Sequence, residues 1–412
     1  MARAMDSLLE GSVPRNRRWS AKVGLSVRSD ISDAFTPSGI SDLSDLSEEA
    51  DIYLVPTGLV FGATAEIALQ LGQARPLAGG PLAFTACEVM IRQNDTLASS
   101  VLPVNEVWGW AARRNAIVAR RIDSLLAYLA APRPPFAGLL LDRPRLMGVV
   151  NVTPDSFSDG GSFTNPYLTI FHALRLWEAG ADIIDVGGES TRPGARPVAP
   201  AEEIRRVVPV VRALAERGVR VSIDTRHAAV MMAAIDAGAA IVNDVSALTG
   251  DPDSLKIVLR RKTPVILMHM QGEPRTMQDN PCYQFAPLDI CDMLAERVNA
   301  CVQAGINWAD ICIDPGIGFG KTLAHNIDIM GRLSVLHMLG CGVALGVSRK
   351  RFIATVSSAE PPQARLPGSL AATLASLDQG VTLVRTHDVT ETLQAIKVWQ
   401  ALHARTFLPS SS

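Results

Sequence analysis

The sequence predicts an α/β fold, a closed (β/α)8 barrel behind a smaller amino-terminal α+β extension, on three observations. Between positions 147 and 387, eight short apolar runs each stop on a polar residue, and each run has the length of a buried parallel strand. The segments between them carry helical patterning. Six of the seven helices that must precede a strand end in glycine, at Gly180, Gly218, Gly238, Gly305, Gly340 and Gly380, where a left-handed residue closes the last turn. Eight such repeats in about 250 residues match a TIM barrel, whereas an open doubly wound sheet usually has fewer.

The first strand, residues 147–150, stops at Asn151, and the second, 183–186, stops before Gly187-Gly188-Glu189-Ser190-Thr191-Arg192. The third, 219–223, ends on Asp224, and the fourth, 240–242, on Asn243. Asp251-Pro252 is expected to cap and open the fourth helix. The fifth strand, 265–268, precedes His269, and the sixth, 311–313, precedes Asp314. The seventh, 343–347, leads into Ser348-Arg349-Lys350, and the eighth, 381–384, into Arg385-Thr386-His387.

In such a barrel all eight strand ends open on one face, where catalysis sits. Asn151, Thr191, Arg192, Asp224, Asn243, Asp314, Lys350, Arg385 and His387 are therefore expected around one cavity. Any one Asp or Asn ending a strand is more often a loop or helix cap. A whole cluster of charged groups at one mouth needs a partner. Asp224, Asn243 and Asp314 offer acceptors and an amide fork to a flat, nitrogen-rich ring, with Lys350 in reach of its carbonyl or a ring nitrogen. Arg385 and His387 alternate on the last strand, and the end of strand eight is a common phosphate position. The polar loops 151–161 and 187–194 are either lids over a second substrate or ordinary solvated loops.

Residues 147–161, Met-Gly-Val-Val-Asn-Val-Thr-Pro-Asp-Ser-Phe-Ser-Asp-Gly-Gly, resemble the first signature of the dihydropteroate synthase family, and residues 184–194, Ile-Asp-Val-Gly-Gly-Glu-Ser-Thr-Arg-Pro-Gly, its second. Ser222-Ile223-Asp224-Thr225, Val242-Asn243-Asp244, Leu267-Met268-His269-Met270, the run from Asp314 to Lys321, Ser348-Arg349-Lys350 and Arg385-Thr386-His387-Asp388-Val389 match further motifs in family order, over about residues 136–405. The resemblance implies a transferase of folate biosynthesis. 4-Aminobenzoate would displace diphosphate from (7,8-dihydropterin-6-yl)methyl diphosphate to give 7,8-dihydropteroate.

It also implies the residue roles. Asp224, Asn243, Asp314 and Lys350, with Met268 and Phe319, would hold the pterin. Asn151, Thr191, Arg385 and His387 would hold the diphosphate, with Mg²⁺ at Asn151. Phe157, Thr191, Arg192, Pro193 and Ser348 would meet the aminobenzoate. An SN1-like departure of diphosphate leaves a methylene cation conjugated with the ring, so the chemistry needs charge stabilisation and exclusion of water rather than a strong base. Asp185, Asp224, Lys350, Arg385 and His387 are the catalytic candidates, although the alternation along strand two leaves the direction of Asp185 open.

The glycine-rich run from Gly316 to Lys321 satisfies neither the dinucleotide nor the Walker spacing and reads as a tight βα turn. Asp314 and His269 lack the local spacing of a transition-metal site and read as hydrogen-bonding groups. Cys87, Cys282, Cys291, Cys301, Cys312 and Cys341 form no C-x-x-C pair and read as packing thiols in a reducing compartment.

A length of 412 residues allows two domains, and 48% hydrophobic residues support a large core. The net charge of −2 gives no electrostatic reason to bind nucleic acid. No apolar stretch spans a bilayer, and the amino terminus lacks a secretory core, so a cytoplasmic enzyme is expected, with no membrane partner. Residues 1–50 are polar with weak periodicity and read as partly disordered.

Residues 51–135 read as a small accessory α+β domain, and 136–412 as the barrel. The accessory domain is expected to hold a strand at 52–55, a turn at Pro56-Thr57-Gly58, a helix near 63–71, a strand near 83–91 and one helix over 106–129. That helix carries Arg113, Arg114, Arg120 and Arg121 on a solvated face, and Pro132-Arg133-Pro134-Pro135 reads as a linker. Residues 139–146 suggest a hairpin plugging the barrel floor.

The family's compact enzyme lacks this extension, which resembles neither usual fusion partner, the pterin pyrophosphokinase or the neopterin aldolase. A packing or dimer-stabilising module is its simplest reading, with a second active site as the alternative. The family also implies a homodimer through carboxy-terminal helices. Arg351 departs from the pattern, since a small or hydroxyl residue is commoner there, and bears on aminobenzoate or sulfonamide contacts. Two rivals are a pterin-binding methyltransferase, which has no need of Arg385, His387 and both signature loops together, and a non-catalytic pterin-binding regulator.

Overall fold

A computed structural model describes residues 38–39, 50–93, 96–152, 166–190 and 197–404. Contacts divide the chain into two units, one of Met1–Ala131 with His337–Gly340 and one of Pro132–Leu336 with Cys341–Ser412. The polar segment 1–50 lies outside the described residues apart from Ala50 and the short strand β1 (Ser38–Gly39).

The first unit contains β2 (Asp51–Phe61), β3 (Arg75–Pro76), β4 (Leu82–Gln93) and β5 (Thr96–Pro103), ordered β1-β5-β4-β2 with β3 also on β4. The turn expected at Pro56-Thr57-Gly58 does not form. β2 continues in register with β4 on both sides of Gly58, whose left-handed φ of 58° is absorbed by a residue without a side chain. The single helix expected over 106–129 is two, Val104–Ala112 and Ala116–Ala130, because Asn115 breaks the run and its side chain caps the second by accepting from Val118 N at 2.8 Å. Arg113 and Arg120 are exposed as expected, but Arg114 lies over the Trp110 ring and Arg121 donates to Ala50 O.

The second unit is a closed barrel of eight parallel strands: β6 (Arg145–Asn151), β7 (Ile183–Gly187), β8 (Val221–Asp224), β9 (Ile241–Asp244), β10 (Val265–Met268), β11 (Ile311–Asp314), β12 (Gly342–Gly346) and β13 (Leu383–Thr386). This excludes the open sheet. All six glycines expected at helix ends have positive φ, and the seventh helix, Ser254–Arg261, ends in the same left-handed conformation on Lys262. That helix starts two residues later than Asp251-Pro252 suggests. Asp251 instead accepts from Asp253 N and from Ala228 N, at the start of the preceding helix Ala228–Asp236.

Phe136, Leu141, Met147, Ile183, Ile241, Ile266, Cys312, Ala344 and Leu383 form the buried floor of the barrel. Phe136 and Leu139 exchange backbone hydrogen bonds across a turn in which Ala137 and Gly138 both have positive φ, so the tight turn lies at residues 136–139 rather than within the hairpin expected over 139–146, where Arg145 and Leu146 already open β6. Arg145 fastens the turn, donating to Leu140 O at 2.6 Å and pairing with Asp142 and Asp182.

Two residues above the floor, strand alternation turns Asp185, Asn243, Met268, Asp314 and Arg385 inward on the same face as Ile183, Ile241, Ile266, Cys312 and Leu383. Asp224 joins this layer because it pairs with Asn243 in register. The direction of Asp185 is thereby decided: Ile183 lies in the floor, so Asp185 faces the mouth.

Candidate active site

Arg385 is the hub of the mouth. Its Nε lies 2.7 Å from Asp185 Oδ2 and its Nη2 2.8 Å from Asp224 Oδ2. Asn243 Nδ2 donates to the same Asp185 oxygen at 3.1 Å. Asp185 Oδ1 and Ser222 Oγ, buried on register-paired residues, have no hydrogen-bond partner among the described residues. Four strands thus share one polar network in a place where water is scarce.

Burial pushes the Asp224 carboxyl up to about 7, against the pull of Arg385 and with the repulsion of Asp185. Burial likewise raises Asp314, against Lys350 and the amide of Gly316. It lowers Lys350 to about 8, although Asp314 favours the charge. Burial also opposes the charge of Arg385, but Asp185 and Asp224 outweigh it and hold the guanidinium protonated. Two sets of groups with opposing shifts in one small space are what a binding site for a polar, charge-changing ligand requires.

The turn after β11 supplies the other wall. Asp314 Oδ1 accepts from Gly316 N at 2.7 Å, and Lys350 Nζ donates to Ile317 O while lying 4.4 Å from the centre of the Phe319 ring. Gly316 sits at φ 65°, and a Cβ there would meet His269 O at 2.0 Å, so no other residue fits. The run is a tight turn, as expected, and His269 is a hydrogen-bonding group: its Nδ1 lies 2.8 Å from Lys321 Nζ. The site therefore holds a buried lysine that sequence reasoning passed over, for a Lys after a glycine run carries no signal of burial.

Asp224, Asn243, Asp314, Lys350, Met268 and Phe319 come together in this way. Asn151 ends β6, half-buried and in register with Gly187. His387 lies just beyond the last residue of β13, so strand alternation does not reach it; its Nδ1 lies 3.1 Å from Ser348 Oγ. The residues expected on two different substrates, His387 and Ser348, are thus joined to each other. Between them in the motifs, Arg349 takes a left-handed φ of 59° and turns away to pair with Asp388, its Nε 3.0 Å from Oδ2. Arg351 is exposed at the start of the helix Arg351–Val356. Phe157, Thr191, Arg192 and Pro193, with most of the loop 151–161 and half of the loop 187–194, lie outside the described residues.

Beside the mouth, Glu189 accepts from Arg226 Nε and Nη2 and from Val198 N, and Glu203 Oε2 lies 2.8 Å from His227 Nδ1. Candidate ligand atoms of Glu189, Glu203 and His227 lie within 4.8 Å of one another, but the Arg226 cation already neutralises Glu189 and opposes a metal there. The group is a clamp between two βα loops, which spacing in sequence did not reveal. Five of the six cysteines are buried and all are free; Cys282 is exposed, contrary to a purely packing role.

The model of the pterin-binding enzyme family matches residues 147–387. A dihydropteroate synthase of Escherichia coli is 43% identical over 262 residues, covering 63% of this chain and 92% of that protein. One from Neisseria meningitidis is 45% identical over 266 residues, covering 64% and 94%. The solved Xanthomonas albilineans dihydropteroate synthase with 4-aminobenzoic acid is 46% identical with a TM-score of 0.63, covering 67% of this chain and 99% of that one. A structure of the enzyme from the same organism with 7,8-dihydropteroate is 43% identical with a TM-score of 0.60, covering 67% and 100%.

Proposed function

Since the chain belongs to the family of pterin-binding enzymes, among its dihydropteroate synthases, we propose how its own residues share the work of that transferase. The reaction joins (7,8-dihydropterin-6-yl)methyl diphosphate to 4-aminobenzoate and releases diphosphate. The observation that carries the assignment is the Arg385 bridge between Asp185 and Asp224, set in one layer with Asn243 and Asp314.

Asp224, Asn243 and Asp314 receive the donor edge of the pterin, Lys350 donates to its acceptors, and Met268 and Phe319 border the ring. The carbon–oxygen bond to diphosphate breaks first, its electron pair leaving with the diphosphate. Asp185 and Asp224 then lie beside a ring carrying positive charge, and Arg385, His387 and Asn151 face the departing anion, with Thr191. The amine nitrogen of aminobenzoate attacks the methylene carbon and afterwards loses its proton to the released diphosphate or to water; Phe157, Thr191, Arg192, Pro193 and Ser348 are assigned to this second substrate by the family resemblance. No group of raised basicity is required.

The amide oxygen of Asn151, half-buried at the end of β6, is a hard donor of the kind Mg²⁺ accepts, so Asn151 would hold the ion. When bound there, Mg²⁺ would share the charge of the leaving group. A methyltransferase reading is disfavoured by the named relatives, which match over 92% or more of their length.

A homodimer through the carboxy-terminal helices is supported by the apolar groove between Leu366–Leu377 and Val389–His403, where Leu370, Leu374, Val398 and Leu402 meet and Val398 and Leu402 are 57% and 68% exposed. Free thiols fit a cytoplasmic setting, and among the described residues no helix is long and apolar enough to cross a membrane.

The test is incubation with dihydropterin diphosphate, radiolabelled 4-aminobenzoate and Mg²⁺. Labelled dihydropteroate that vanishes with a chelator is expected. Pterin binding with no labelled product would sink the reading in favour of a regulator.

A further inference from the structure

Lys321 is 3% exposed and has no part in the roles assigned above. Its Nζ lies 2.8 Å from His269 Nδ1, 2.8 Å from Phe319 O and 3.4 Å from His269 O, and burial, with Lys350 nearby, holds the amine well below the usual lysine range. Burial, with Lys321 beside it, holds His269 well below its usual range, so the ring is neutral and Nδ1 shares one hydrogen with Nζ. His269 is fixed in turn, because its backbone N–H donates to Asp314 O at 2.9 Å.

The side chain therefore ties the end of β10 to the far side of the turn after β11. That turn decides where Lys350 sits, since Lys350 Nζ touches Ile317 O and lies over Phe319 within it. We propose that Lys321 is a positioning residue for the pterin end of the site, holding the Phe319 backbone so that Lys350 and Asp314 present to the ring in one geometry. This rests on the reading that Asp314 and Lys350 grip the pterin. The turn has further tethers on either side of Phe319, Gly318 N to Asn326 Oδ1 at 2.7 Å, Gln278 to Gly318 O at 2.8 Å and Tyr283 Oη to Gly320 O at 2.7 Å. Loss of Lys321 thus frees the Phe319 carbonyl and the end of β10 from each other while the loop stays attached.

The experiment compares Lys321→Met with Lys321→Gln, which keeps two donor protons, in the full chain. Steady-state constants are read for each substrate, together with dihydropterin binding by fluorescence titration. Lys321→Met should raise the KM for dihydropterin diphosphate and the pterin Kd by about tenfold, the scale of a small displacement in a site. The KM for aminobenzoate should stay within about twofold, and Lys321→Gln should recover part of the loss. A fall in thermal midpoint with pterin affinity unchanged, or an equal rise in both KM values, would overturn the proposal. Wild-type protein that binds dihydropterin without turnover would instead refute the assigned activity, and the titration would still decide the role of Lys321.

Discussion

Arg385 Nη2 lies 2.8 Å from Asp224 Oδ2, across 161 positions of the chain. The residue expected on the leaving anion and the residue expected on the ring are thus one ion pair, and Asp185 completes it from the other side. On the proposed roles, pterin and diphosphate address a single charge network. A guanidinium shared between two carboxylates leaves the network able to neutralise a ring that turns cationic as the anion departs.

Arg385→Ala should lower kcat/KM by about 10²–10³, equivalent to about 2–4 kcal/mol of transition-state stabilisation. Arg385→Lys should restore little, because a single ammonium cannot match the two-sided fork. Steady-state kinetics check this, and near-normal turnover of Arg385→Ala would remove the residue from the mechanism.

Asp224→Asn should cost activity yet gain stability above neutral pH. The folded-state pKa of Asp224 is raised to about 7, so the folded chain holds this proton where the unfolded chain, with a value of about 3.9, has lost it. Its contribution to stability is therefore full at low pH and falls as pH rises from about 4 to about 7. Melting curves across that window should show the variant gaining on the wild type until about pH 7 and then running parallel to it. A gap independent of pH would contradict the shift.

The pH dependence of kcat/KM for the pterin substrate should be bell-shaped. Ionisation of Asp224, with a pKa of about 7, opens the acid limb, and loss of the proton from Lys350, with a pKa of about 8, closes the alkaline one. Lys350→Arg keeps its charge at higher pH and should carry the alkaline limb upward. An alkaline limb that stays in place in that variant would assign it to another group.

Gly316→Ala should destabilise the chain by about 2 kcal/mol or more, since its Cβ would strike a backbone oxygen and a left-handed φ adds strain. Urea titration measures the loss. A denaturation midpoint equal to that of the wild type would mean that the turn relaxes freely.

The proposed homodimer predicts that Val398→Asp combined with Leu402→Asp gives monomers where the wild type is dimeric, without unfolding the barrel, because both side chains are exposed on one groove. Light scattering on the two proteins decides it. An unchanged mass would move the interface elsewhere.

The barrel was legible because its signals are local and repeated. A strand that must bury both faces leaves an apolar run, and a helix that must turn back leaves a glycine at its end; even the exception, Lys262, keeps the same backbone conformation. The amino-terminal unit was less legible for the converse reason. Gly58 permits a kink without ending β2, and Asn115 interrupts an otherwise continuous helical pattern with a cap, so a turn-favouring residue marks a break in one place and none in the other.

The sequence by itself determined which side chains end the strands, and through them the chemistry of the mouth, because each strand's polar terminus is written in a run of a few residues. Tertiary structure alone decided the pairings: Asp185 inward with Arg385, Ser348 with His387, Glu189 with Arg226, and Lys321 under Phe319. Such contacts join residues from different strand ends and loops, and they exist only once closure of the barrel brings those ends within a few ångströms. Burial then sets their charge states, and burial is a property of the assembled mouth rather than of any segment within it.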